Sequence, residues 1–251
     1  MKFKKVVFVL LIVVVLFFSC SKKNTRLLMN ETNYFKKIKT EYENGDYMDF
    51  REDANYFISD FPGSDNIPYV QYLIAESYFK EDRYAKAISE YNKIIYKYPD
   101  SEYLIDAYYK IGLSYFEQKL HPQRDQTNTK KSMYYLKKVL EQNSNKYKKK
   151  AEEMIQECRN TLAKKEFYRA KFYYRRHAFD VSIEILEEAI KEYSDTKSVA
   201  NMYLLMARNY YRKKDKDKAY SFIKKSQNKI GNNEDLKEEI NDLQEELNEL
   251  E

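Results

Sequence analysis

Glycine and proline are nearly missing from this sequence, with four of each in 251 residues. Sheet proteins need a turn about every ten residues, and dinucleotide-binding folds need glycine-rich loops, so both classes are disfavoured. Gly45, Gly63, Gly112 and Gly231 never stand close enough to build a phosphate cradle. Histidine is as scarce. His121 and His177 lie 56 residues apart, with neither HExxH spacing nor a neighbouring cysteine, so a metal site has little support. Neither histidine has a Ser/Asp or Cys partner pattern. His121, before Pro122, reads as a loop residue and His177, in RRHAFD, as a turn residue. The inventory is that of a protein without catalytic residues, metal or cofactor.

Cysteine occurs twice, at Cys20 and Cys158, and tryptophan not at all. Cys158 sits in AEEMIQECRNTLA and reads as a small buried apolar residue on a helix. Cys20 closes a different kind of segment. Lys2, Lys4 and Lys5 precede an unbroken apolar run of thirteen residues, Val6 to Phe18, followed by Ser19-Cys20 and the polar SKKNTR. A helix of that length rises about 20 Å, short of the roughly 30 Å hydrocarbon layer. The pattern describes an export signal, and the Cys after Ser19 makes it resemble a bacterial lipoprotein signal, cleaved before Cys20 with lipid (palmitate among it) added there. Phe17 and Phe18 depart from the usual residues of such signals. An uncleaved short anchor or an ordinary signal is the alternative.

What the chain has in abundance is tyrosine, 26 residues of it, within 43% hydrophobic and 34% charged side chains. A tyrosine buries its ring while the hydroxyl reaches water, which suits thin layers of paired helices. The segment YLIAESYFKEDRYAKAISEYNKIIYKYPDS, Tyr72 to Ser101, sets a frame of Ala75, Tyr78, Tyr84, Ala87, Tyr91 and Pro99. Thirty-seven residues earlier the frame gives Ile38, Tyr47, Phe50, Ala54 and Pro62, and thirty-seven later Gly112 and Tyr115. Ninety-five later it gives Ala170, Tyr173, Phe179, Ser182, Leu186 and Ser194, and at 132 Ala207, Tyr210 and Ala219. Small residues where helices cross, aromatics between them and a fixed period are the tetratricopeptide pattern. The spacing predicts an all-α solenoid of five helix pairs, at about 33–62, 68–99, 103–145, 165–194 and 198–228. Ser101 in YPDS is placed to cap the helix that follows.

The third pair breaks the period. Its second helix starts near Thr129, eight residues late, and HPQRDQTN fills the gap, with Thr127 or Thr129 placed as its cap. A long basic helix follows, NKYKKKAEEMIQECRNTLAKKEFYRAKFYYRR. At the end, Leu236, Ile240, Leu243, Leu247 and Leu250 alternate at spacings of four and three, a coiled-coil-like seam too short to stand alone. Residues 234–251 hold nine acids and one lysine. Without the leader's three lysines and that tail, the body carries 41 basic against 31 acidic residues. Solvated lysine-studded helix faces account for this excess in an exported protein, so nucleic acid is not implied. The acidic tail either folds back on the body or meets a basic partner.

The irregular third unit carries a family resemblance. RDQTNTKKS contains Asp125, Gln126, Thr127 and Thr129 in the pattern D-Q-[ST]-x-T. The following helix matches a second motif at Leu162, Ala163, Glu166, Ala170, Phe172, Tyr173, Arg175, Ala178 and Phe179. Together they resemble the BamD family, tetratricopeptide lipoproteins of the machinery that folds β-barrels into the bacterial outer membrane, over about residues 20–228. Ser144 and Ser194 replace usual turn prolines, His177 stands where Gly is common, and Ile185 where many relatives carry Arg. The resemblance implies a non-enzymatic scaffold on the periplasmic face of the outer membrane, anchored by lipid at Cys20. Its partners would be a BamA-type barrel, other assembly subunits and unfolded outer-membrane proteins. It implies a groove for extended segments, read here as Tyr42, Tyr47, Phe50, Tyr72, Tyr78 and Tyr109, and partner docking at Tyr173, Arg175, Arg176 and Phe179. The domain reading is a signal at 1–19, a linker at 20–32, repeats at 33–145 and 146–230, and the tail at 231–251. The competing function is a tetratricopeptide lipoprotein that scaffolds cell-envelope enzymes or a secretin or pilus.

Overall fold

The computed structural model describes residues 29–142 and 144–249. Cys20, the leader, most of the linker and Leu250 lie outside them. Among the described residues there are eleven helices and no strand. They are α1 (Glu31–Asn44), α2 (Tyr47–Asp60), α3 (Ile67–Lys80), α4 (Tyr84–Lys97), α5 (Leu104–Glu117), α6 (Thr127–Leu140), α7 (Lys148–Arg175), α8 (Phe179–Glu192), α9 (Val199–Arg212), α10 (Lys216–Gln227) and α11 (Glu234–Asn248). Five antiparallel pairs, α1/α2 to α9/α10, make this a tetratricopeptide-type solenoid with one helix added. The fourth pair begins at Lys148 rather than near 165, because neither Gly nor Pro interrupts the 28 residues of α7. No described helix is long and apolar enough to cross a membrane.

The chain forms two compact units, one ending at Ala107 and one beginning at Tyr108, a division that falls inside α5 rather than at residue 145. In the first unit α1 packs on α2, α2 on α3 and α3 on α4. Its core holds Tyr34, Ile38, Phe50, Ala54, Phe57, Val70 and Ile74, all 0–2% exposed. Burying each large side chain contributes about 1.5–3 kcal/mol. In the second unit α6 packs on α7, α7 on α8, α8 on α9 and α9 on α10. One core lies around Leu162, Leu186, Met202 and Met206, and a second around Leu204, Ala207, Ala219 and Ile223. Cys158 is fully buried there beside Ser132.

The turns inside the pairs share one geometry. Gly45, Asp82, His177 and Lys214 all have positive φ, between 55° and 83°. Thirty-seven residues separate the first two, and thirty-seven the last two. At each, the next amide donates back over the helix end: Asp46 to Glu41, Arg83 to Tyr78, Ala178 to Tyr173 and Asp215 to Tyr210, at 2.9–3.1 Å. This is the left-handed closure that satisfies carbonyls left over at a helix C-terminus. Only the third pair lacks it, and there the inserted loop stands instead.

Two expected caps are not made. Leu104 N–H donates to the Ser101 carbonyl, while the Ser101 hydroxyl is buried without a hydrogen-bond partner. At α6, the Asp125 carboxylate accepts from the Thr127 amide at 2.9 Å. Thr127 and Thr129 already lie within the helix, so neither occupies the capping position. The tail, in contrast, folds back. Leu236, Ile240, Leu243 and Leu247 are at most 3% exposed and pack against Ala200, Leu204, Ala207, Ala219 and Ile223 of α9 and α10. The Asn233 side chain caps α11 by accepting from the Leu236 amide, and Glu234 and Asp235 favour the positive end of its dipole.

Candidate functional site

Three groups of residues draw attention: an aromatic shelf in the first unit, the α7–α8 hairpin, and the inserted loop of the second unit.

On the shelf, Tyr42 ends α1, Tyr47 begins α2, and Tyr72 and Tyr78 lie on α3. All four are half-buried. Tyr42 meets Tyr47 at 5.7 Å and Phe50 edge-on at 5.3 Å between ring centroids. Phe50 itself is fully buried, so it supports the shelf from the core and does not line a groove. Tyr109, placed in the same predicted set, belongs to the second unit, is 9% exposed and stacks on Tyr147 at 4.1 Å. It too is packing. The groove expected from the family resemblance therefore loses these two rings to packing, because residue type does not tell a sealed ring from an open one.

The structure adds cations to the shelf. Lys80 Nζ stands 4.7 Å from the Tyr42 ring centre and 5.8 Å from that of Tyr47. Around Tyr78 lie Arg51 at 4.4 Å, Arg83 at 4.9 Å and Lys86 at 5.6 Å. Arg51 is fixed by an ion pair to Glu81 at 2.9 Å and a hydrogen bond to Ser77 Oγ at 3.2 Å. The Arg51 guanidinium holds the Glu81 carboxyl below the usual range despite opposing desolvation. Burial pushes the Tyr42 hydroxyl up, even against its hydrogen bond with Lys80. Burial would depress the Lys80 ammonium, but the Tyr42 and Tyr47 hydroxyls raise it overall, so it stays charged. Farther along α3, Tyr72 stacks on Tyr103 at 5.3 Å and meets Tyr91 at 6.0 Å; the Tyr91 hydroxyl donates to Glu76 inside the core. The shelf therefore offers ring faces with a positive rim, suited to an extended chain that is both aromatic and polar. The sequence does not mark these cations, because single lysines and arginines within or beside helices read as solvated faces.

At the hairpin, Arg175 and Arg176 are exposed, while Tyr173 and Phe179 are half-buried. Tyr173 packs on the core between α7 and α9. The outward aromatic is its neighbour Phe172, 50% exposed, with the Arg176 guanidinium 4.4 Å over its ring. Phe172, Arg175, Arg176, Lys171 and Tyr168 line a cleft of about 400 Å³. A large exposed ring held by an arginine is the usual composition of an interface anchor.

The loop motif holds the insertion together. Gln126 is 1% exposed, and its amide nitrogen donates to the carbonyls of His121 at 2.9 Å, Arg124 at 3.2 Å and Leu120 at 3.4 Å. Its amide oxygen accepts from Thr129 Oγ1 at 2.7 Å, and Thr129 is fully buried. Asn128 donates to the Gln118 carbonyl at 3.0 Å. Asp125 is exposed and held below the usual carboxylate range chiefly by the Thr127 amide. Gln126 and Thr129 thus satisfy a turn that has no left-handed closure. His121 stacks on Tyr168 at 6.1 Å, and its Nδ1 accepts from the Gln123 amide at 3.4 Å.

Comparison with known proteins gives one family. The model of the YfiO family, described as outer membrane lipoprotein, matches residues 28–225. An Aquifex aeolicus protein carried under the name of a candidate outer membrane protein assembly factor, BamD, is 27% identical over 207 residues, spanning 78% of this chain and 67% of that one. Among solved structures, the TPR2AB domain of yeast Sti1 in complex with pHSP90 shares 16% identity with a TM-score of 0.47, covering 79% of this chain and 77% of that one. The TPR domain of P58(IPK) shares 17% identity with a TM-score of 0.43, covering 88% and 56%. The family match ends before α11.

Proposed function

The chain belongs to the YfiO family of outer membrane lipoproteins, the BamD family, and from that membership we propose a non-catalytic scaffold of the β-barrel assembly machinery. The observation that carries this reading is the family match running through both compact units and the inserted loop. In this reading the leader 1–19 is removed, Cys20 is lipidated and residues 20–32 tether the repeats to the periplasmic face of the outer membrane. The aromatic shelf with its cationic rim, Tyr42, Tyr47, Tyr72 and Tyr78 with Lys80 and Arg51, receives extended segments of unfolded barrel proteins. The α7–α8 hairpin, with Phe172, Arg175 and Arg176 outward, docks the periplasmic part of a BamA-type barrel. Neither task requires bond chemistry. Ring faces, hydrogen-bonding rims and fixed cations are enough to hold an extended chain.

The test is co-purification of the lipidated protein from envelope extracts. A BamA-type barrel is the expected partner. Recovery of only cell-wall enzymes or a secretin would overturn the assembly reading in favour of the competing one. Phe172→Ala with Arg176→Ala should reduce barrel recovery about tenfold or more, as loss of an aromatic–arginine anchor does. The mass of the mature N-terminus decides whether Cys20 carries lipid.

A further inference from the structure

A cleft in the second unit is left without a task by this reading. It has a volume of about 600 Å³, within the range of clefts that hold ligands, and it is larger than the cleft beside Phe172. Its walls come from three separated stretches: the start of the inserted loop, one face of α7, and the turn from α8 into α9. Each stretch contributes a lysine, Lys119, Lys164 and Lys197 respectively, and the loop adds His121. Among the described residues none of the three lysines has an ion-pair partner. Lys119 rests over the Phe116 ring at 3.7 Å and Lys164 lies 5.9 Å from the Tyr168 ring centre. One acid, Glu157, lines the same cleft, and its Oε2 accepts from Asn160 Nδ2 at 3.4 Å.

The cleft is also braced. The Lys197 backbone amide donates to Asn160 Oδ1 at 3.2 Å, which ties the α8–α9 turn to α7. Arg159 repeats that tie one residue earlier, with 2.7 Å to the Glu192 carbonyl and 2.9 Å to Asp195. Asn201 of α9 also lines the cleft. Three ammonium groups on walls held in register, against one carboxylate, leave a positive concavity before any ligand arrives. Such a site attracts anions and does not reorganise to receive them.

We propose that this cleft binds an acidic, extended segment of a partner polypeptide. Charge complementarity selects carboxylates. The side-chain amide of Asn201 carries both donors and an acceptor, which match a peptide backbone better than a bare anion. Leu120, 49% exposed, and Pro122 supply an apolar shelf that a polypeptide covers and a free phosphate would leave wet. A single small anion would fill little of the volume. The inference does not rest on the barrel-assembly reading, and either can fail alone.

The experiment measures fluorescence anisotropy of a short labelled peptide rich in Asp and Glu with the full chain in detergent, beside an Asn/Gln peptide of the same length. The acidic peptide should bind and the neutral one should not. K164E/K197E should weaken binding about tenfold or more, because it turns two attractive charges into repulsive ones. K149E/K150E, which reverses the same charge on the exposed start of α7, should leave it unchanged; circular dichroism checks that both variants fold. Absence of binding, or equal weakening by the two pairs, overturns the proposal. Binding of phosphatidylglycerol vesicles through Lys164 and Lys197 without peptide binding would identify a lipid surface instead, and likewise overturns it.

Discussion

A Cβ added to Gly112 would lie 2.8 Å from Leu136 Cγ and 2.9 Å from its Cδ2. Ser132 meanwhile donates to the Gly112 carbonyl at 2.8 Å, so α5 and α6 are locked together at their crossing. Neither partner yields easily: Leu136 is fully buried, and its branching carbon is the atom struck. Gly112→Ala gains helix propensity of up to about 1 kcal/mol but overpacks by about 1–3 kcal/mol. The net expectation is destabilisation of about 1–2 kcal/mol, read as a lower urea midpoint with unchanged slope. A more stable variant would show that the crossing can relax.

The four left-handed turns predict the opposite sign. Gly45 occupies its turn without strain, whereas His177 and Lys214 hold φ of 60° with a Cβ. The conformation disfavours an L-residue by about 1–2 kcal/mol, part of which a glycine returns as entropy of the unfolded chain. His177→Gly and Lys214→Gly should each stabilise the protein by about 0.5–1 kcal/mol, measurable as a higher Tm. His177 meets the Phe179 ring at 5.7 Å, while among the described residues Lys214 has no ring contact, so the gain should be larger at Lys214.

How much of this was legible in the sequence depends on what kind of signal each feature leaves. The helix pairs were, because a period of thirty-seven residues repeats small and aromatic positions that only paired helices need. Gly112 at the crossing followed from the same frame, while a buried Cys158 followed from its own helical stretch, AEEMIQECRNTLA. The surface was harder. Phe50 and Tyr109 share residue types with Tyr42 and Tyr78, and only packing decides which rings are sealed. The exposed ring at the hairpin is Phe172 and not Tyr173, one residue and about 100° around the helix away, which a motif match does not resolve. Gln126 and Thr129 were recognised as a signature, but their work as a tie for the loop emerges only from three carbonyls that are brought together in space. The cations of the shelf left no pattern at all.

The Arg159–Asp195 tie gives a pH dependence. Arg159 Nε and Nη2 both reach the Asp195 carboxylate, and Nη2 also reaches the Glu192 carbonyl. The guanidinium holds the Asp195 carboxyl below its ordinary value, with burial opposing. A carboxylate depressed in the folded state contributes stability above its unfolded pKa and loses it as pH falls through the folded one. Both side chains are partly solvated, so the contribution is small, about 0.5–1 kcal/mol. Arg159→Met should lower Tm near pH 7, and the gap to the parent should narrow toward about pH 3, below the ordinary value of an aspartate. A gap that stays constant across that range would assign the loss to packing against Tyr193.

The last helix tests whether the acidic tail is part of the fold. Its apolar edge seals the α9–α10 pair, with Arg208 paired to Glu239 at 2.8 Å and the Tyr220 hydroxyl bonded to Asn248 at 2.5 Å along the seam. A solenoid whose final pair lacks a cover exposes the groove that each earlier pair fills with its successor. Ending the chain after Gly231 would uncover Leu204, Ala207 and Ile223, which are at most 3% exposed in the intact chain. Four buried aliphatic side chains of α11, set against the entropy of ordering one helix, leave a net loss of about 2–4 kcal/mol, or about 5–15 °C in Tm. The truncated chain should also self-associate as concentration rises, since the uncovered face is apolar. Replacing Leu243 alone with Asp should reproduce much of the Tm loss while keeping the acidic character of the helix. If truncation leaves Tm and monodispersity unchanged, α11 is an appendage and its seam is free for another partner.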